Sequence, residues 1–152
     1  MVAGPGDGVF FGDGWYEPVD VGAVTGRYSR GPAATMFVPV FETTDTLFTF
    51  RMQACDATPA PTRNVRVTVN GNDVSMLPVV WDPEKAGSYD VPIPRAVLRE
   101  GWNRVELRAD GSSIIPQGED RFVGAEKGSE TSFFLLNLRV VPQSPPGPPL
   151  TG

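Results

Sequence analysis

Val67-Thr68-Val69-Asn70-Gly71, answered further along by Leu98-Arg99-Glu100-Gly101-Trp102-Asn103-Arg104-Val105-Glu106-Leu107, is the stretch whose reading decides the fold. The first piece alternates apolar and polar residues and ends in Asn-Gly, the strongest short-range hairpin signal, because both residues tolerate positive φ. The second is a tight Gly-x-Asn connection feeding another alternating run. Val65, Val67 and Val69 on one side, with Arg66 and Thr68 on the other, describe a strand half-buried in a sheet.

Working outward, further strands recur at short spacing. Val9-Phe10-Phe11 precedes the Gly12-Asp13-Gly14 turn, and Gly26–Arg30 and Thr35–Val40 follow, with Pro39 pushing the latter towards an edge or a strand end. Thr46–Ala54 places Phe48, Phe50, Met52 and Ala54 on one face, and Val74–Val80 continues after the turn. Tyr89, Val91 and Ile93 alternate, then Val105 and Leu107, and finally Phe134, Leu136, Leu138 and Val140. A single helical turn is expected in Pro94–Glu100, stopped by Gly101. About nine short strands without a sustained helical period predict an all-β, antiparallel jelly-roll β-sandwich.

The bulk numbers agree. A chain of 152 residues with 40% hydrophobic and 20% charged residues is one globular domain. Its 17 glycines and 16 prolines punctuate strands rather than forming repeats. The sandwich is expected over residues 9–141, with 1–8 a flexible N-terminus and 142–152 a Pro-rich linker towards a neighbouring protein domain. Residues Met1 to Gly8 have neither a basic start nor a long apolar core, so no signal peptide is read there. The apolar runs are too short to span a bilayer as a helix, so no direct membrane insertion is expected. A formal charge of −5 without a basic block argues against nucleic acid.

Catalytic chemistry finds little to work with. There is no histidine, so the single cysteine, Cys55, lacks a His base to make it a nucleophile, and no internal disulfide can form. No nucleophile elbow, phosphate-binding Gly-Lys motif or zinc ligand set is present. Glu119, Asp120, Glu126 and Glu130 are carboxylates in a connection running from Asp110 to Thr131, but their linear spacing does not define a catalytic pair. An enzyme is not expected.

The Val-Asn-Gly turn, Tyr89-Asp90-Val91-Pro92-Ile93-Pro94 and Leu-x-x-Gly-x-Asn-x-Val-x-Leu together resemble galactose-binding-like jelly-roll domains, including accessory domains attached to glycoside hydrolases. Gly12-Asp13-Gly14-Trp15-Tyr16-Glu17-Pro18, Arg27-Tyr28 and Asp120-Arg121-Phe122-Val123-Gly124 resemble a narrower set. That set comprises extracytoplasmic sandwich domains of bacterial envelope proteins, some fused to membrane glycosyltransferases or sulfatases. The resemblance implies a non-catalytic, extracytoplasmic accessory module within a larger protein. Such modules bind sugars through loops at one edge, hold a structural calcium, or pack against a neighbour.

Aromatic rings stack on the apolar C–H faces of pyranoses while polar groups meet the hydroxyls. Trp15, Tyr16, Trp81, Tyr89 and Trp102 are the aromatic candidates. Those in loops are favoured, so the expected carbohydrate site is Trp15, Tyr16, Arg27, Trp81, Asp120 and Arg121. Each tryptophan has packing against the core as its alternative. Glu17 with Arg27, and Asp120 with Arg121, are expected to form a charge network. Asp7, Asp13, Glu17 and Asp20 form an acidic cluster in which Asp13 and Glu17 are the candidate ligands of a structural calcium, with ordinary turn carboxylates as the alternative. The rival to sugar binding is a structural or protein-interaction domain, for which Phe10-Phe11 and Phe133-Phe134 are candidate contacts if exposed.

Overall fold

The computed structural model describes residues 2–3, 9–21, 24–55, 61–82, 85–115 and 128–143. Among these, thirteen strands run β1 (Val2–Ala3), β2 (Phe10–Phe11), β3 (Val19–Val21), β4 (Val24–Tyr28), β5 (Ala33–Val40), β6 (Thr46–Ala54), β7 (Thr62–Val69), β8 (Asn72–Val80), β9 (Gly87–Ile93), β10 (Gly101–Ala109), β11 (Ser113–Ile114), β12 (Glu130–Thr131) and β13 (Phe133–Pro142). The count exceeds the nine expected by β1, β3, β11 and β12, pieces of two or three residues that are too short to carry an alternation. The expected helical turn is a 3₁₀ turn at Arg95–Val97.

One sheet has the order β3-β4-β13-β6-β9, with β1 pairing to β13; the other has the order β2-β5-β10-β7-β8. Every pairing is antiparallel. The last strand among the described residues, β13, therefore sits in the interior of its sheet, between β4 and β6. Val2–Ala3, expected to be part of a flexible N-terminus, pair with Arg139 and Leu138. Residues 4–8 and 144–152 lie outside the described residues.

The sheets enclose one apolar core. Phe48, Phe50 and Met52 from β6, Val65, Val67 and Val69 from β7, and Val105 and Leu107 from β10 are all fully buried there. Strict alternation on β6 and β10 sends every second side chain outwards. Pro39 sits as expected next to a strand end and on a locally open flank: β5 lies between β2 and β10, but β2 reaches only Met36 and Phe37, leaving that side of Pro39 without a described strand partner.

β13 departs from the expected pattern. A register shift between Leu135 and Asn137 reverses the parity of the strand. Leu138 and Val140 face the core as expected, but before the shift the core residues are Phe133 and Leu135. Phe134 points the other way. On the outer side of the sheet it joins Tyr28, Cys55 and Ile115 in a second apolar cluster, against which Tyr16, Val19, Trp81 and Leu136 pack.

The opening motif closes one end of the sandwich. Asn70 (φ 49°) and Gly71 (φ 86°) make the β7–β8 turn, and Gly101 (φ 91°) opens β10. The two halves meet through their asparagines: Asn70 Nδ2 donates to Asn103 Oδ1 at 2.8 Å and to the Val97 carbonyl at 2.8 Å. Arg104 N donates to Asn70 Oδ1 at 3.0 Å. Asn103, fully buried, accepts from Arg99 N at 2.8 Å and donates to the carbonyls of Arg99 at 2.9 Å and Gly101 at 3.2 Å. A buried amide so fully paired is a register pin.

Candidate functional site

Strand direction sorts the connections. β4 ends and β5 begins at the same end of the sandwich where β6, β8 and β10 end and β7, β9 and β13 begin. The segments around residues 12–18, 29–32, 81–82, 110–115 and 128–132 therefore gather at the end opposite Asn70. Trp15, Tyr16 and Trp81, far apart in sequence, all belong to this loop end.

Their roles differ. Trp15 is 7% exposed and packs edge-on against Phe11 and Phe133, with centroid separations of 5.3 and 5.8 Å. Its Nε1 donates to the Thr35 carbonyl at 2.7 Å. The ring belongs to the core and offers no open face, so packing takes Trp15 out of the set of stacking aromatics. Gly14 lets its turn approach β5: a Cβ there would lie 2.3 Å from the Ala33 carbonyl oxygen.

Tyr16 and Trp81 are half-buried and share the second cluster as their floor. The Tyr16 hydroxyl donates to the Glu130 carbonyl at 2.9 Å, and the Arg30 guanidinium lies 4.8 Å from its ring centroid. The Trp81 amide donates to the Pro61 carbonyl at 3.1 Å, while Gln53 Nε2 holds the next residue through the Asp82 carbonyl at 2.7 Å. Beneath them burial, and then the neighbouring Cys55, push the Tyr28 phenol above its ordinary value. That phenol stays neutral.

Arg27 is turned inwards. Its guanidinium lies 4.6 Å from the Phe11 centroid and donates to the Tyr16 carbonyl at 3.3 Å. Among the described residues no salt bridge joins it to the exposed Glu17. The expected Glu17–Arg27 pair is thus replaced by a cation–π contact and a backbone hydrogen bond. Asp120 and Arg121 lie outside the described residues.

Residues that sequence reading left out of the site complete the loop end. Ser112 Oγ donates to Glu130 Oε1, and Arg63 Nη2 donates to Ser113 Oγ at 2.6 Å. Arg30, Ser112 and Glu130 carry no motif; they are brought near Tyr16 by the pairing of β12 with β11 and by backbone bonds from Arg30 N to the Gly14 carbonyl and from Gly31 N to the Glu130 carbonyl.

Asp13 and Glu17 are exposed, and the Asp13 carbonyl accepts from Thr35 N at 2.9 Å. Asp20 accepts from Thr25 Oγ1 at 2.6 Å, and Asp7 is outside the described residues. Among the described residues no three acidic or cysteine side chains cluster to hold a metal. Asp13 and Glu17 alone do not fit the roughly six to eight oxygens of a calcium shell.

Two further aromatics resolve oppositely. The Tyr89 hydroxyl accepts from Val80 N at 3.0 Å and serves the scaffold. Trp102 is 56% exposed on the outer face of β10, and Phe10 is 65% exposed on β2. Phe133 and Phe134, by contrast, are buried. Parity carries the missed signal: Trp102 shares a side with Arg104 and Glu106, opposite Val105 and Leu107.

No family model and no curated protein matches the chain. Among solved structures it is similar to a family 35 carbohydrate-binding module from Paenibacillus barcinonensis, with a TM-score of 0.53 and 12% identity, covering 94% of this chain and 99% of that one. A family 35 module from an environmental isolate gives a TM-score of 0.48 at 15% identity, covering 91% and 98%. A family 36 module solved in complex with calcium and xylotriose gives 0.41 at 9% identity, covering 86% and 91%. The strand order, the enclosed core and the first of these likenesses agree: the chain has an antiparallel jelly-roll β-sandwich fold.

Proposed function

We propose that this domain is a non-catalytic carbohydrate-binding accessory module that takes its ligand at the loop end of the sandwich. The observation that carries the reading is the convergence there of two half-buried aromatics, Tyr16 and Trp81, with Arg30, Ser112 and Glu130. Half-buried rings held by their own backbone bonds present a fixed apolar surface to pyranose C–H groups. The Ser112 hydroxyl and Glu130 carboxylate supply acceptors for sugar hydroxyls, and the Arg30 guanidinium supplies donors. Arg27 acts by positioning Tyr16. Asp120 and Arg121 belong to the same connection between β11 and β12 and are proposed to contribute to the polar rim. The shared fold with a carbohydrate-binding module supports the reading by analogy.

A glycan array, followed by titration calorimetry on the best hit, tests this. Trp81→Ala and Tyr16→Ala are each expected to weaken binding about tenfold or more. Unchanged binding in both variants, or no hit on a broad array, overturns it. A structural calcium is proposed only with ligands beyond Asp13 and Glu17; a melting temperature unmoved by EDTA disposes of it. The extracytoplasmic setting, within a larger protein, follows from the same reading and is checked by fractionation of the native host. The second reading, a protein-interaction domain, is favoured by one observation, the exposed Phe10 and Trp102 away from the loop end.

A further inference from the structure

We propose that the outer face of the β2-β5-β10-β7-β8 sheet is a self-association surface, on which a second copy of this chain packs with its β10 antiparallel to the first. This goes beyond the loop-end reading and does not depend on it. The two outer faces of the sandwich are unequal. On the β3-β4-β13-β6-β9 sheet, Tyr28 and Phe134 are covered by the second cluster. The opposite sheet leaves aromatics open: Phe10 is 65% and Trp102 56% exposed. Phe10 lies across from Phe37, their ring centroids 6.5 Å apart, Phe37 lies across from Arg104, and Trp102 lies across from Pro39. These side chains form one apolar patch over three strands, on a rigid face rather than a loop tip.

Charge names the occupant. The outward residues of β10 read Trp102, Arg104, Glu106, Arg108. Glu106 lies 3.6 Å from Arg104 and 3.4 Å from Arg108, and both guanidiniums remain more than half exposed. The charges thus alternate along the strand, an order that complements its own reversed copy, while Arg66, directly across from Arg108, is already paired with Asp73 at 2.8 Å. A two-fold axis perpendicular to β10 and lying over Val105 places Arg104 against the partner's Glu106 and Trp102 against the partner's Arg108. Each contact then occurs twice, as an isologous interface requires. An axis parallel to the strand would instead oppose each arginine to its own copy, which like-charge repulsion disfavours. An arginine stem and guanidinium on an indole combine apolar burial with a cation–π contact. At ordinary strand spacing and rise, the four long strands β5, β10, β7 and β8, of eight or nine residues each, span roughly 19 by 28 Å. That footprint is somewhat below the roughly 800 Å² per partner of a standard interface, as suits a reversible dimer.

Sedimentation equilibrium of the full chain over a concentration series tests the proposal. The expected result is a reversible dimer that weakens with salt. Arg104→Glu alone and Glu106→Arg alone should each weaken it about tenfold or more, and the double variant R104E/E106R should recover most of the loss. Glu106→Gln, a milder change, guards against misfolding of the reversal and should weaken the dimer too. Trp102→Ser should weaken it without rescue. Tyr16→Ala and Trp81→Ala should leave it intact, so failure of the loop-end reading and failure of this one are separable. A wild-type chain that stays monomeric throughout overturns the proposal, as do single variants that dimerise normally or a double variant no better than either. Loss of glycan binding in Trp102→Ser with a monomeric wild type also overturns it, and makes the face a sugar platform.

Discussion

The two ends of the sandwich solve different problems with the same kinds of residue. At the Asn70 end the β7–β8 turn is two residues long, and paired amides bridge it to the start of β10. Asn70 and Asn103 are consumed by Val97, Arg99, Gly101 and Arg104, leaving little to offer a ligand. At the loop end, hydroxyls and guanidiniums bridge segments remote in sequence, such as Tyr16 with Glu130, and half-buried aromatics remain. Chemistry that fixes register and chemistry free to meet a partner are segregated to opposite ends.

Four measurements sharpen or break this contrast. The largest effect is expected at the loop end itself: Trp15→Ala empties a core site and should cost about 3–5 kcal/mol in urea unfolding. A cost below about 1 kcal/mol would mean that the loop end is merely draped on the core. Asn103→Ala strands several buried groups at the other end and should cost about 2–4 kcal/mol. If it proves neutral, the asparagine pairing does not pin register. Gly101→Ala meets no atom within 4 Å of its Cβ but must hold φ 91°, so a loss of about 1–2 kcal/mol would isolate the backbone term. The smallest effect is a pH dependence at the β7–β8 hairpin. Hydrogen bonds from Thr68, then Arg66, hold the exposed Asp73 carboxyl below its usual range. A lowered native value means stability present above the ordinary carboxylate value of about 4 and lost as acid protonates the group. The difference in melting temperature between wild type and Asp73→Asn should therefore shrink as pH falls below that value; a constant gap would count against the hydrogen bonds.

Much of the scaffold was legible because it is written in alternation. Val65, Val67 and Val69 announce their face, and Asn70-Gly71 announces its turn. The register shift on β13 was not legible. Phe133-Phe134-Leu135-Leu136 is apolar throughout, because that strand end is covered on both faces, so no polar residue marks where parity reverses. The site was harder for the same reason. Trp15 and Trp102 both neighbour glycine-bearing turns, but burial of one was decided by the distant Thr35 carbonyl and Phe133. The other's exposure followed from parity with Val105. Arg30, Ser112 and Glu130 depend on strand order alone, which local sequence does not encode.

The interior position of β13 has a consequence for how the chain is made. Synthesis proceeds from the N-terminus, and this strand emerges after every element it must join. Its pairings reach back from Phe134 to Tyr28 and from Phe133 to Ala54. Until it arrives, β3–β4 and β6–β9 are two separate ribbons, each with an unpaired edge towards the gap. The nascent domain therefore cannot complete its sheet by stages; it closes late, around its last strand, through contacts of long sequence separation. During that wait the open edges of β4 and β6 are the places where a ribosome-bound chain would mispair or require a chaperone.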